Sequence, residues 1–112
     1  MGEVVVAEVR SEGGPPSGRN GRSSANFSLA EVPEGAVELV WRTEPDTASI
    51  RFSVMADVRA NYDQPVLSNI VSGSRTAVPR ERVSLSRRGF YIANPSGSTE
   101  DGFVVRVFAV LP

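Results

Sequence analysis

Two stretches in the middle of the chain alternate in polarity at every second residue. Val37, Leu39 and Trp41 interleave with Glu38, Val40 and Arg42, and Ile50, Phe52 and Val54 interleave with Arg51, Ser53 and Met55. A period of two puts each set on one face of an extended backbone, which marks half-buried strands and not a helix. Near the C-terminus, 103–111 is apolar apart from Arg106, as expected for a strand covered on both faces or nearly so. Half-buried strands must lay their apolar face against a second layer, so the expectation is an all-β, antiparallel, jelly-roll-like β-sandwich of seven to eight short strands.

Turn residues divide the chain between these runs. Residues 3–9 are expected to be a first strand, with Val4, Val6 and Val9 inward. Residues 11–25, rich in Gly, Pro and Ser, are expected to be a flexible loop. Residues 26–32 alternate Phe27 and Leu29 with Ser28 and Ala30, which predicts a second strand closed by Pro33-Glu34-Gly35. The run 61–65 is expected to break the long strand 48–58. Weaker strands are expected at 66–71, 76–78 and 82–86, with no helical period anywhere. Residues 90–93 should form the penultimate strand, ended by a loop over 94–98.

A chain of 112 residues has the size of one domain, and 1–112 is read as a single sandwich. Its 40% hydrophobic and 22% charged residues are ordinary for a globular protein, and no apolar stretch approaches the roughly 20 residues that span a bilayer. The start Met1-Gly2-Glu3 has no basic segment and the valines after it are too few for a secretory core, so no export signal is expected. With no cysteine there is no disulfide framework, which favours a cytoplasmic setting. With no histidine either, zinc and copper sites of the usual kind are excluded and no cofactor is expected. Catalysis is not expected: nucleophile elbow, phosphate loop and lysine are all missing, and a carboxylate pair such as Asp57 and Asp63 would have little cleft to work in.

All 12 basic residues are arginine, and charge is uneven: residues 1–63 carry a net of −4 and residues 64–112 a net of +3. Such a chain can meet a charged partner on one face, while a net of −1 overall speaks against a dedicated nucleic-acid binder. Five arginines, Arg75, Arg80, Arg82, Arg87 and Arg88, face one acid in the segment 75–88. On a strand, Arg80 and Arg82 would share a face, forming a patch able to grip carboxylate or phosphate. Aromatics are not interleaved with them, which disfavours stacking on nucleic acid. Tyr62, set among turn residues, is the further candidate contact, and Trp41 is expected to anchor the core.

The succession of Gly35, Trp41, the Ile50-x-Phe52-x-Val54 strand, Gly89-x-Tyr91, Asn94 with Ser96, and the hydrophobic strand 104–110 resembles the GOLD (Golgi dynamics) domain of cargo-receptor, lipid-transfer and adaptor proteins. Ser49 stands where that family usually has Asp, and the strand after Tyr91 is shorter than the family's. The resemblance implies a non-enzymatic interaction module in a trafficking or adaptor context, binding a protein partner or an anionic membrane surface. Two other roles are open: a carbohydrate-binding sandwich with Tyr62, Tyr91 or Trp41 around a groove, and an assembly subunit joined through Phe103, Phe108 or an edge strand into a homo-oligomer.

Overall fold

A computed structural model describes residues 2–12, 19–59, 62–86, 88–97 and 100–112. Among the described residues seven strands form, β1 (Gly2–Ser11), β2 (Glu38–Glu44), β3 (Arg51–Arg59), β4 (Tyr62–Ile70), β5 (Ser74–Ala77), β6 (Phe90–Ser96) and β7 (Phe103–Leu111), with helix α1 (Arg80–Leu85) between β5 and β6. They form two antiparallel sheets, β1-β7-β2-β5 and β4-β3-β6. The shortest dimension of the molecule, 17 Å, is that of two stacked sheets with their outer side chains. The all-β antiparallel sandwich expected from the alternating runs is the observed architecture.

The period of two governs which side chains meet. In β7, Phe103, Val105, Val107 and Ala109 are buried, while Val104, Arg106, Phe108 and Val110 are half-buried on the outer face. In β2, Leu39, Trp41 and Thr43 point inward, and in β3 Phe52, Val54 and Ala56 meet them from the opposite sheet. A row of rings, Phe90–Phe27–Trp41–Phe52–Phe103, crosses the interior with neighbouring centroids 5.9–6.5 Å apart. Such contacts add about 0.5–1.5 kcal/mol each beyond the area buried. Trp41 is fully buried, and its indole N–H donates to Thr76 Oγ1 at 2.9 Å, so its one polar atom is satisfied inside the core.

The outer face of the larger sheet is covered by its own charged side chains. Arg106 donates to Glu8 at 2.7 Å and Glu44 at 2.6 Å, contacts that raise its pKa above the ordinary arginine value, Glu44 most. The Arg42 guanidinium lies 5.2 Å from the centre of the Phe108 ring and pairs with Glu3. Arg75 pairs with Glu38 beside Val40, which explains why Val40, on the outward side of β2, is nevertheless buried.

Four expectations are corrected. Residues 26–32 are not a strand: Phe27 makes one bridge to Phe90, and the chain then turns, with Val32 N–H donating to Leu29 O and Ala30 N–H to Ser28 Oγ. Phe27 and Leu29 alternate because they plug the open flank of the sandwich, not because they belong to a ladder. Residues 62–65 do not break the chain but begin β4. This is an edge strand, where Pro65 lacks no ladder partner on its free side and register shifts absorb the irregularity. β6 runs through the expected loop as far as Ser96, with Asn94 at φ 51 and a register shift opposite. Finally, the arginine-rich segment is helical, not extended. Val83 N–H donates to Pro79 O and Ser86 N–H to Arg82 O, so Arg80 and Arg82 point to different sides of α1 instead of sharing a strand face.

Of residues 11–25, those from 13 to 18 lie outside the described residues. The remainder is ordered into a strap. After a tight turn over Arg19–Gly21, the chain bridges β6 at Arg22–Ala93 and Phe27–Phe90, with Ser23 N–H donating to Ile92 O at 2.9 Å and Ile92 N–H to Ser24 Oγ at 2.8 Å. The strap satisfies the outer edge of β6 much as a further strand would.

Candidate partner-binding site

Beyond Phe27 the strap continues as residues 28–32, which face α1 across a groove. Val83 of α1 packs against the core cluster that includes Leu29, and both residues line two adjoining hollows. One, of about 190 Å³, is lined by Ser28, Leu29, Val83, Ser86, Arg88 and Phe90 among others. The second, of about 130 Å³, is lined by Leu29, Val32, Val78, Arg80 and Val83. Leu29, Ala30 and Val83 belong to both, so the two hollows adjoin and are together called the trough. They persist here because α1 is six residues long and buries none of its side chains, so it perches on the sandwich without filling the space beneath it.

Both ends of the trough are tied across. At one end Arg80 donates from a single guanidinium nitrogen to the carbonyls of Glu34 and Ala36, each at 2.7 Å. At the other, Asn26 Nδ2 donates to Arg88 O at 2.8 Å and to Asp57 Oδ2 at 2.9 Å. Ser86 closes the turn between them: its hydroxyl donates to the Gly89 carbonyl and accepts from Gly89 N–H at 3.1 Å. The Arg88 side chain is exposed and makes no ion pair among the described residues. Two adjoining hollows of mixed polar and apolar lining thus lie beside Arg80 and Arg88.

The strap that carries one wall is latched to the smaller sheet. Tyr91 donates its hydroxyl to Asp63 Oδ2 at 2.6 Å, and Asn20 Nδ2 donates to the same oxygen at 2.9 Å. Arg22 lies 4.0 Å above the Tyr91 ring, donates to Asn26 Oδ1 at 2.7 Å and reaches Asp57 at 3.6 Å. Burial, followed by the bond to Asp63, raises the Tyr91 phenol above its ordinary pKa of 10.0. Asp57 and Asp63 are directly opposite on β3 and β4. Two carboxylates side by side would repel, but here each is bound by an asparagine and the tyrosine or arginine beside it, so the pair serves as the anchor of the strap.

The six residues expected to bind a partner are not brought together. Arg80 and Arg88 line the trough. Arg75 lies on the outer face of the larger sheet, paired with Glu38, and Arg82 is half-buried 3.8 Å from Glu81. Tyr62 is at the start of β4 on the other sheet, with Arg59 4.8 Å from its ring centre and Gln64 donating to its hydroxyl. Arg87 lies outside the described residues. The trough's apolar residues, Leu29, Val78 and Val83, fall in stretches whose sequence predicts strands. The one hint of the helix was Pro79 followed by Glu81 in the first turn, a helix-start combination. Of the aromatics proposed to line a sugar groove, Trp41 and Tyr91 are fully buried. Among the described residues no group of three acids is placed to hold a metal ion, and no helix is long and apolar enough to cross a membrane. Comparison with protein-family models, with curated proteins and with solved structures finds no match for this chain.

Proposed function

We propose that this chain is a non-catalytic interaction module that captures a short acidic segment of a partner protein in the trough between α1 and residues 28–32. The observation that carries the reading is the pair of adjoining hollows that share Leu29 and Val83, one lined also by Arg88 and the other by Arg80. Cavities of about 150 Å³ take up a ligand the size of benzene, so each hollow has room for one aliphatic side chain. The guanidinium groups beyond them favour carboxylates flanking those anchors. The likeness to GOLD domains points the same way, toward an adaptor.

Selection of peptides from a random display library on the immobilised protein tests this. The expected result is enrichment of Asp or Glu on either side of Leu, Ile or Val. A synthetic peptide from that pool should lose binding with Val83→Asp or Arg88→Glu and keep it with Arg75→Glu. Selected peptides without acids, or binding indifferent to Val83→Asp and Arg88→Glu, would overturn the proposal. Binding of phosphatidylserine vesicles that is lost in Arg88→Glu, with no peptide selected, would assign the trough to a membrane surface instead.

A further inference from the structure

A sandwich of two open sheets has four edges, and three of them offer little to an added strand among the described residues. The β6 edge is sealed by the strap. β4 carries Pro65 and three register shifts, which leave it poorly shaped for a further strand. β5 is four residues long and leads within three residues into α1. The fourth edge belongs to β1, ten residues long, and among the described residues only Ser24, opposite Ser11, pairs with it on the side away from β7. From Gly2 to Arg10 a row of backbone donors and acceptors therefore faces outward.

The side chains of this strand match an added neighbour on both faces. Val5, opposite Phe108 on the outer face, is 54% exposed, and Val4, opposite Ala109 on the inner face, is 39% exposed. An edge strand with wet β-branched residues on both faces gains on each of them when a strand is laid beside it. The bulge at Val6 is the only irregularity in its pairing with β7.

We infer that β1 is a self-association surface at which two copies of this chain pair their β1 strands antiparallel across a two-fold axis near Val5. The sequence is self-complementary in that register. Each Val5 meets the other, each Val4 meets Val6 of the other copy, and Glu3 falls opposite Ala7, so no like charges stand face to face. The two four-stranded sheets become one of eight strands, and the contact is closed because each copy has one such edge. The hollow lined by Val78 and Arg80 follows β5, the strand at the opposite edge of the sheet from β1.

The absence of cysteine makes the test direct, since any thiol introduced is the only one. Val5→Cys should form a disulfide-linked dimer on mild oxidation, because facing residues of an antiparallel pair bring their Cα atoms within disulfide range. Leu85→Cys, exposed on α1, should not. In sedimentation over a range of concentrations the native chain should show a monomer–dimer equilibrium, and Val5→Lys should weaken it at least roughly tenfold. Circular dichroism and a cooperative melt on each variant confirm that it is folded. A native chain that stays monomeric to millimolar concentration, a dimer indifferent to Val5→Lys, or equal cross-linking at Val5→Cys and Leu85→Cys would each overturn the inference.

Discussion

Gly89 joins the two walls of the trough, and replacing it offers a quantitative test of the packing there. Its φ is +98°, and a Cβ at this position would overlap the carbonyl oxygen of Phe27 and lie 3.2 Å from its carbon. Both atoms are backbone, so the clash can be relieved only by moving the strap. Phe27 and Phe90 exchange two hydrogen bonds, Phe27 N–H to Phe90 O at 2.7 Å and Phe90 N–H to Phe27 O at 2.8 Å. Moving the strap loosens both, at about 1 kcal/mol each. The left-handed backbone costs a side chain a further 1–2 kcal/mol or so. Gly89→Ala should therefore destabilise the fold by about 3–4 kcal/mol, a large part of the 5–15 kcal/mol or so that holds a typical domain together. The matched control is Gly73→Ala, where φ is +92° but nothing lies within 4 Å of the added atom. That variant should show the backbone cost alone, about 1–2 kcal/mol. Thermal melts by circular dichroism should place Gly89→Ala about 12–20 °C below the native chain, at about 4–5 °C per kcal/mol for a domain of this size. Equal losses in the two variants would refute the reasoning, since the contact with Phe27 would then contribute nothing.

Three further outcomes are expected. Because the Tyr91 phenol is raised above 10.0, its contribution to stability is complete below about pH 10 and is lost as pH climbs through the higher native value; urea melts at pH 8 and pH 11 should show a drop that Tyr91→Phe makes smaller. Tyr91→Phe should itself cost about 1.5–3 kcal/mol at pH 7, the worth of one hydrogen bond to a charged group, read from the urea midpoint. Trp41 fluorescence should be blue-shifted and insensitive to iodide or to added sugars until the fold melts, as its complete burial requires; quenching in the native state would contradict that burial.

The sandwich was legible because most of its strands bury one face or lie at its centre. β2, β3 and β7 announce themselves by alternation or by continuous apolar character, and Trp41, Phe52 and Val107 meet in the core as that pattern requires. The trough was not legible, for two physical reasons. α1 is shorter than two turns and buries no side chain, so it has no apolar stripe to produce a helical period, and Val83-Ser84-Leu85 imitates a strand. Residues 27–29 alternate like a strand because they plug an open flank, and only the register, which sequence does not carry, separates a plug from a ladder. Arg80 and Arg88 were identifiable by type, but their separation from Arg75 and Tyr62 follows from sheet order.

The pairing of β1 with β7, in which Gly2 lies against Leu111 and Ser11 against Phe103, has a consequence for how the chain reaches its final form. Among the described strands β7 alone connects β1 to β2, so until it arrives the first strand has no strand to pair with and the larger sheet is split in two. During synthesis the valines of β1 leave the ribosome about a hundred residues before their mate, and the loop closed by that late union is nearly the whole chain. A nascent chain stalled short of Phe103 would thus display the aliphatic residues of β1 without the strand that covers them.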